Sequence, residues 1–117
     1  MTRPPAVVLV VEDETLILLD TVDCIEHLGH VAVPAIDARR ALELLKRRTD
    51  ITHLFTDVNL RCDIDGIELA AAVQAHWPHI SILITSGHML PATARLASDI
   101  PFLPKPYTAE QIQAWLE

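Results

Sequence analysis

A chain of 117 residues, half of them hydrophobic, has enough apolar material for one compact domain with a real core. Its formal net charge of −7 argues against nucleic acid as a direct partner, because phosphate backbones demand clustered Lys and Arg. Cys24 and Cys62 lack CxxC spacing and read as reduced thiols. Met1-Thr2-Arg3-Pro4-Pro5 lacks the apolar core of a signal peptide, and no run approaches membrane-spanning length. A cytoplasmic protein without a membrane partner is therefore expected, with residues 1–5 disordered and 6–117 forming the domain.

Ala6 to Val11 is unbroken and rich in β-branched residues, which suits a central strand buried on both faces. Glu12, Asp13 and Glu14 close it. A helix follows from about Thr15 to Leu28, with Ile17, Thr21, Cys24, Ile25 and Leu28 as its inward stripe and Gly29 as a left-handed cap. Leu16, Leu18 and Leu19 fall outside that stripe, and either broaden the core contact or form a docking patch. Val31 to Ile36 is the second strand. Pro34 cannot donate a ladder hydrogen bond, so this strand belongs at a sheet edge.

Asp37 then caps a helix that turns Ala41, Leu42, Leu44 and Leu45 toward the sheet. The basic pairs and triplets along it, Arg39-Arg40 and Lys46-Arg47-Arg48, read as a solvated face. Leu54 to Asn59 is a third strand, which delivers Asp57 to its carboxyl end. A polar loop runs through Asp65-Gly66 to a helix over Ile67 to His76, which ends before Trp77-Pro78. Ile80 to Thr85 makes a fourth strand closed by Ser86-Gly87, and a weak helix spans about Pro91 to Ala97. Ile100 to Leu103 is the fifth strand. Thr108 caps a last helix with Ile112, Trp115 and Leu116 inward.

Alternating strands and helices without repeats or linkers argue for an α/β fold, a doubly wound five-stranded parallel sheet. Sites in such sheets lie beyond the strand carboxyl ends, where Glu12, Asp13, Asp57, Ser86 and Lys105 all fall. Carboxylates gathered there repel by about 4 kcal/mol per pair at about 4 Å and an effective dielectric of 20. Either one stays protonated or a cation sits among them. Hard oxygen ligands with an open shell suit Mg²⁺, while Lys105 and Ser86 suit phosphoryl oxygens. Phosphoryl transfer to a carboxylate needs a positioned nucleophile and charge neutralisation, with Asp57 as nucleophile and Glu12 and Asp13 holding the metal. The competing account is an acidic rim neutralised by Lys105, with no chemistry. Neither GxGxxG nor GxxxxGK[ST] occurs, which disfavours nucleotide or flavin binding.

Val10-Val11-Glu12-Asp13-Glu14, Thr56-Asp57, Asp65-Gly66, Ile84-Thr85-Ser86-Gly87 and Leu103-Pro104-Lys105-Pro106 together resemble the receiver domain of two-component response regulators. The likeness runs from Ala6 onward, with the motifs in the family's order. It implies a flavodoxin-like (βα)5 sheet in the order 2-1-3-4-5. It also implies that Asp57 takes a phosphoryl group from a histidine kinase or histidine phosphotransfer protein. Mg²⁺ would be held by Asp13, Asp57 and the backbone carbonyl of Asn59, with Glu12 assisting. Lys105 would pair with Asp57 and then with phosphate, across a cis bond to Pro106. Ser86 and Phe102 would form the switch pair that alters contacts with a downstream protein target.

The resemblance further places Asn59 and His88 where side chains set the rate of phosphate loss, although His88 reads equally as a surface residue. His76 and His79 lack ligand spacing. Arg61 stands where the family usually carries proline, and Arg61-Cys62-Asp63-Ile64 makes the loop about one residue longer. A shortfall between Ser86 and Lys105 implies a reduced fourth helix, and the early stop at Glu117 suggests a stand-alone regulator or a trimmed chain. On this reading the protein catalyses only its own phosphorylation and dephosphorylation. A pseudo-receiver adaptor is the alternative. An aspartate-nucleophile phosphatase fits less well, because Asn59 cannot serve as its general acid.

Overall fold

The structure, a computed structural model, describes residues 4–60, 63–87 and 100–117. Five strands form one sheet: β1 (Val7–Val11), β2 (Val31–Ala35), β3 (His53–Asp57), β4 (Ser81–Ser86) and β5 (Phe102–Pro104). Their order is β2-β1-β3-β4-β5, with every adjacent pair parallel. Four helices lie among the described residues: α1 (Thr15–His27), α2 (Ala38–Arg47), α3 (Gly66–His76) and α4 (Ala109–Leu116). The weak helix expected over 91–97 lies outside the described residues, as do Arg61, Cys62 and His88.

Strand side chains alternate between two cores because the pleat has a period of two. Val8, Val10, Phe55 and Leu83 face one way, against Leu18 and Ile25 of α1 and Ile112 and Leu116 of α4. Leu9, Val11, Leu54, Ile82 and Ile84 face the other way, against Ala41 and Leu45 of α2 and Leu69, Ala70 and Val73 of α3. Burial on both faces explains why the central strands read as continuous apolar runs. Pro34 lies on the edge strand β2, as its missing N–H requires.

Local chemistry fixes the helix ends. Gly29 has φ +92°, and its N–H and that of His30 donate to Glu26 and Ile25, the paired bonds of a Schellman cap. Asp37 accepts from the Arg40 N–H at 2.8 Å and starts α2. Thr108 with Gln111 makes a capping box for α4. The same device at Asp65 and Glu68 opens α3, in a stretch that reads from sequence only as polar loop.

The inward stripe of α1 is shifted from the expected one. Leu18, Thr21 and Ile25 are buried, whereas Ile17, Cys24 and Leu28 are half-buried. Four consecutive aliphatic residues, Leu16 to Leu19, leave the helical phase open by one position, and contact with the sheet selects Leu18. Leu16 and Leu19 remain on the surface, 79% and 56% exposed. The strand ends also move. β2 stops at Ala35 with Ile36 exposed, β4 extends through Ser86, and β5 begins two residues later than its apolar run.

Candidate functional site

Parallel register carries four strand ends to one rim. Val11 stands beside Thr56, Asp57 beside Thr85, and Ser86 beside Pro104. The ladder continues past the strands: the Glu12 N–H donates to Ala35 O at 3.1 Å, and the Lys105 N–H to Ser86 O at 3.0 Å. Glu12, Asp13, Asp57, Ser86 and Lys105 therefore converge through backbone geometry before any side-chain contact is counted. The Lys105–Pro106 peptide is cis, as the resemblance implies.

Carboxylate oxygens of Glu12, Asp13 and Asp57 lie within 4.8 Å of one another. Lys105 Nζ sits 3.2 Å from Glu12 Oε2 and 3.2 Å from Asp57 Oδ2. Glu12 and Asp57 are only 4% and 6% exposed, so little water reaches them. Lys105 thus bonds two of the three clustered carboxylates. Burial pushes the Glu12 carboxyl above its usual range; the Glu14 N–H opposes this, the Asp57 charge adds to it, and Lys105 opposes it. Burial works against the Lys105 ammonium, but the charges of Asp57 and Glu12 and its bonds to both outweigh that and raise its pKa.

Asp57 is further held by the Asn59 N–H, 3.3 Å from its Oδ1. Asn59 joins Asp13, Asp57, Asp65 and Lys105 around an open cleft of about 630 Å³. Ser86 is buried at the end of β4, next to Lys105 through its carbonyl. Phe102 is half-buried opposite Ile84 and packs against the core beneath α2 and α3. Asp63 is held by an ion pair with Arg39. The arrangement offers a buried carboxylate, hard oxygen donors that could hold a cation, and an ammonium, all on one open cleft.

The role of Gly66 is not legible in the sequence. A Cβ there would lie 1.9 Å from the Asp57 carbonyl oxygen and 2.9 Å from the Val58 Cα. The start of α3 is thus pressed onto the backbone that carries Asp57, and the Gly66 N–H donates to Val58 O at 2.9 Å. Asp65-Gly66 reads in the sequence as polar loop, and only the fold shows what lies against it.

Residues 8–117 match the family model described as the response regulator receiver domain. Over 105 residues the chain is 30% identical to Sensor protein TorS of Escherichia coli strain K12, covering 87% of this chain and 11% of that protein. It therefore spans about a tenth of that relative's length. Among solved structures, a response regulator receiver protein from Sinorhizobium medicae WSM419 superposes with a TM-score of 0.85 at 25% identity, over 96% of this chain and 91% of that one. A response regulator receiver domain protein from Clostridium thermocellum gives a TM-score of 0.86 at 24% identity, over 95% and 90%. No helix among the described residues is long and apolar enough to cross a membrane. A parallel 2-1-3-4-5 sheet, an acidic cluster with a lysine at its carboxyl rim and a family match over nearly every residue agree: the chain belongs to the receiver domains of two-component response regulators.

Proposed function

We propose that this domain is a phosphorylation switch in which Asp57 accepts a phosphoryl group from a histidine kinase or a histidine phosphotransfer protein. The observation that carries the reading is the clustering of Glu12, Asp13 and Asp57, with Lys105 bonded to Glu12 and Asp57. The likeness to a sensor protein supports a place in a signal relay. An Asp57 carboxylate oxygen attacks phosphorus, the bond from phosphorus to the donor nitrogen breaks, and its electron pair returns to the imidazole. Lys105 stays protonated and moves its charge from the Asp57 carboxylate to the phosphoryl oxygens. Ser86 donates its hydroxyl to one of them, and Phe102 turns inward behind it.

Three hard carboxylate donors within 4.8 Å of one another fit a divalent cation. Asp13, Asp57 and the backbone carbonyl of Asn59, with Glu12 assisting, would hold Mg²⁺, which supplies positive charge to the incoming phosphoryl oxygens. The domain catalyses only its own phosphorylation and dephosphorylation. Its output passes through contacts with a downstream protein in the cytoplasm, without direct nucleic-acid binding. Incubation with acetyl phosphate and Mg²⁺, read by intact mass, is expected to label the native chain and not Asp57→Asn. Full-stoichiometry label on Asp57→Asn would move the acceptor elsewhere, and an unlabelled native chain would mark a pseudo-receiver.

A further inference from the structure

Beneath the rim, on the face turned toward α1 and α4, lies a small cavity of about 10 Å³. Glu12, Thr21, Phe55, Asp57, Thr85 and Tyr107 line it, with two strand valines. Thr85 is 2% exposed, and its Oγ1 is the one buried side-chain oxygen among the described residues with no hydrogen-bond partner. Valine would fill the same shape without that uncompensated hydroxyl, so the polar atom calls for an explanation.

The neighbouring hydroxyls have an order set by proton count. Thr21 Oγ1 lies 2.9 Å from the Ile17 carbonyl, which can only accept, so the threonine proton is committed there. Thr21 Oγ1 also lies 2.8 Å from Tyr107 Oη, and in that contact the phenol must donate. Tyr107 Oη is left with a lone pair, and the ring is held in place by packing 5.3 Å from Phe55. Glu12 gives one oxygen to the Glu14 N–H at 3.1 Å and the other to Lys105 at 3.2 Å, and each oxygen retains capacity for a further donor. The Tyr107 phenol is pushed up by burial and further by the charge of Glu12, while its bond to Thr21 and the charge of Lys105 oppose the rise.

We propose that this cavity binds one water molecule, which accepts from Thr85 and donates to the Glu12 carboxylate and to Tyr107 Oη. The volume admits about one water, and three partners are the usual number for a buried one. Through that water Thr85 and Tyr107 are positioning residues for Glu12: they hold its carboxylate from beneath while Lys105 holds it from the cleft. The same chain continues through Thr21 into α1, so a change of charge at the rim reaches a helix that carries exposed Leu16 and Leu19. The kinetic part of this inference rests on Asp57 being the phosphoacceptor; the water site itself does not.

A crystal structure that resolves ordered solvent tests the site directly. The native chain is expected to show one water within hydrogen-bond distance of Thr85 Oγ1, Glu12 and Tyr107 Oη, and Thr85→Val is expected to lack it. A dry cavity, with the Thr85 hydroxyl turned onto a backbone carbonyl, would overturn the inference. Acetyl phosphate labelling rates at subsaturating Mg²⁺ supply the second measurement. Thr85→Val and Tyr107→Phe are each expected to slow labelling about fivefold, the scale of one hydrogen bond. Their double variant should be no slower than either single, since both act through one water, and Thr85→Ser should restore the native rate. Multiplying losses, or a Thr85→Ser as slow as Thr85→Val, would refute the shared water while leaving phosphorylation of Asp57 standing. Failure of the native chain to label would refute phosphorylation instead, and the density alone would then decide the water.

Discussion

The two ends of the sheet solve the same problem in opposite ways. At the amino end, side chains satisfy the backbone where strands begin. The Ala6 N–H donates to His30 Nδ1 at 2.8 Å, the Val7 N–H to Thr52 Oγ1 at 2.9 Å, and Thr52 Oγ1 also meets His53 Nδ1 at 2.7 Å. Trp115 closes that end, edge-on to His53 at 5.0 Å. At the carboxyl end, three acids cluster, Lys105 bonds two of them, and burial raises the Glu12 pKa. One end is built to be quiet, and the other keeps repulsion that, on the proposed function, a divalent cation would relieve. Stability and function are thus separated along the strand axis, and each variant below shifts one end without the other.

The largest effect is expected at Gly66, where the carboxyl end depends on a backbone contact. In Gly66→Ala the new Cβ would collide with the Asp57 carbonyl, and no side chain can move aside to relieve it. A loss of at least about 3 kcal/mol in urea unfolding is expected, with Mg²⁺-dependent labelling abolished in whatever remains folded. A native-like unfolding midpoint would show that α3 can draw back from Asp57 freely, and the tight seat assigned to the acceptor would be wrong.

Next in size is the response to Mg²⁺ itself. If the acids form a metal site, Mg²⁺ at about a hundred times its dissociation constant should raise the unfolding free energy by about 2.7 kcal/mol. Asp13→Asn should lose most of that gain, while a change at the amino end should leave it intact. Equal gains in the native chain and in Asp13→Asn would assign the effect to general ionic screening.

Glu12→Gln sharpens the comparison from the other side. The Glu12 carboxyl is raised by burial, then by Asp57, so its ionised form opposes folding. The stability associated with its protonated form is fully present below about pH 4.5 and is lost as pH rises through the raised folded value. Without Mg²⁺ at neutral pH, Glu12→Gln should therefore be more stable than the native chain by roughly 0.5–1 kcal/mol, and should label more slowly. Destabilisation of that size would mean that the bond to Lys105 outweighs desolvation and repulsion, and that the rim is not strained.

What the sequence discloses follows the range of the interactions involved. Pro34 marks the edge strand and Asp57 a strand end because each acts through its own backbone. Gly29, Asp37 and Thr108 mark helix ends by bonds that span a few residues. The convergence of Glu12, Asp57 and Lys105 is legible because parallel strands place their carboxyl ends together whatever the loops do. The phase of α1 is not, since Leu16 to Leu19 supply apolar groups at every angle and the sheet alone chooses among them. The short β5 is read two residues early because Ile100 extends its apolar run, whereas the strand begins at Phe102. Gly66 against Asp57, and Thr85 near Tyr107, depend on close approaches between distant segments that leave no local pattern.

The smallest expected effect lies at the quiet end. His53 is half-buried, and burial first, then the nearby charge of His30, lowers its pKa below the usual 6.5. An unfolded chain then binds the proton more readily than the folded one. The stabilisation is therefore complete above about pH 6.5 and declines as pH falls through the lowered folded value, opposite in sense to Glu12. His53→Phe keeps a ring against Trp115 and removes the titration, so its unfolding free energy should fall less than the native one on acidification below pH 6.5. The difference should be about 0.5 kcal/mol or less, read from paired denaturant curves across that window. Labelling of Asp57 should stay at the native rate, because none of these amino-end groups is among the described residues that line the cleft at Asp57. A slower rate in His53→Phe would show that strain passes down the strands from one end to the other, and the separation drawn between them would fail.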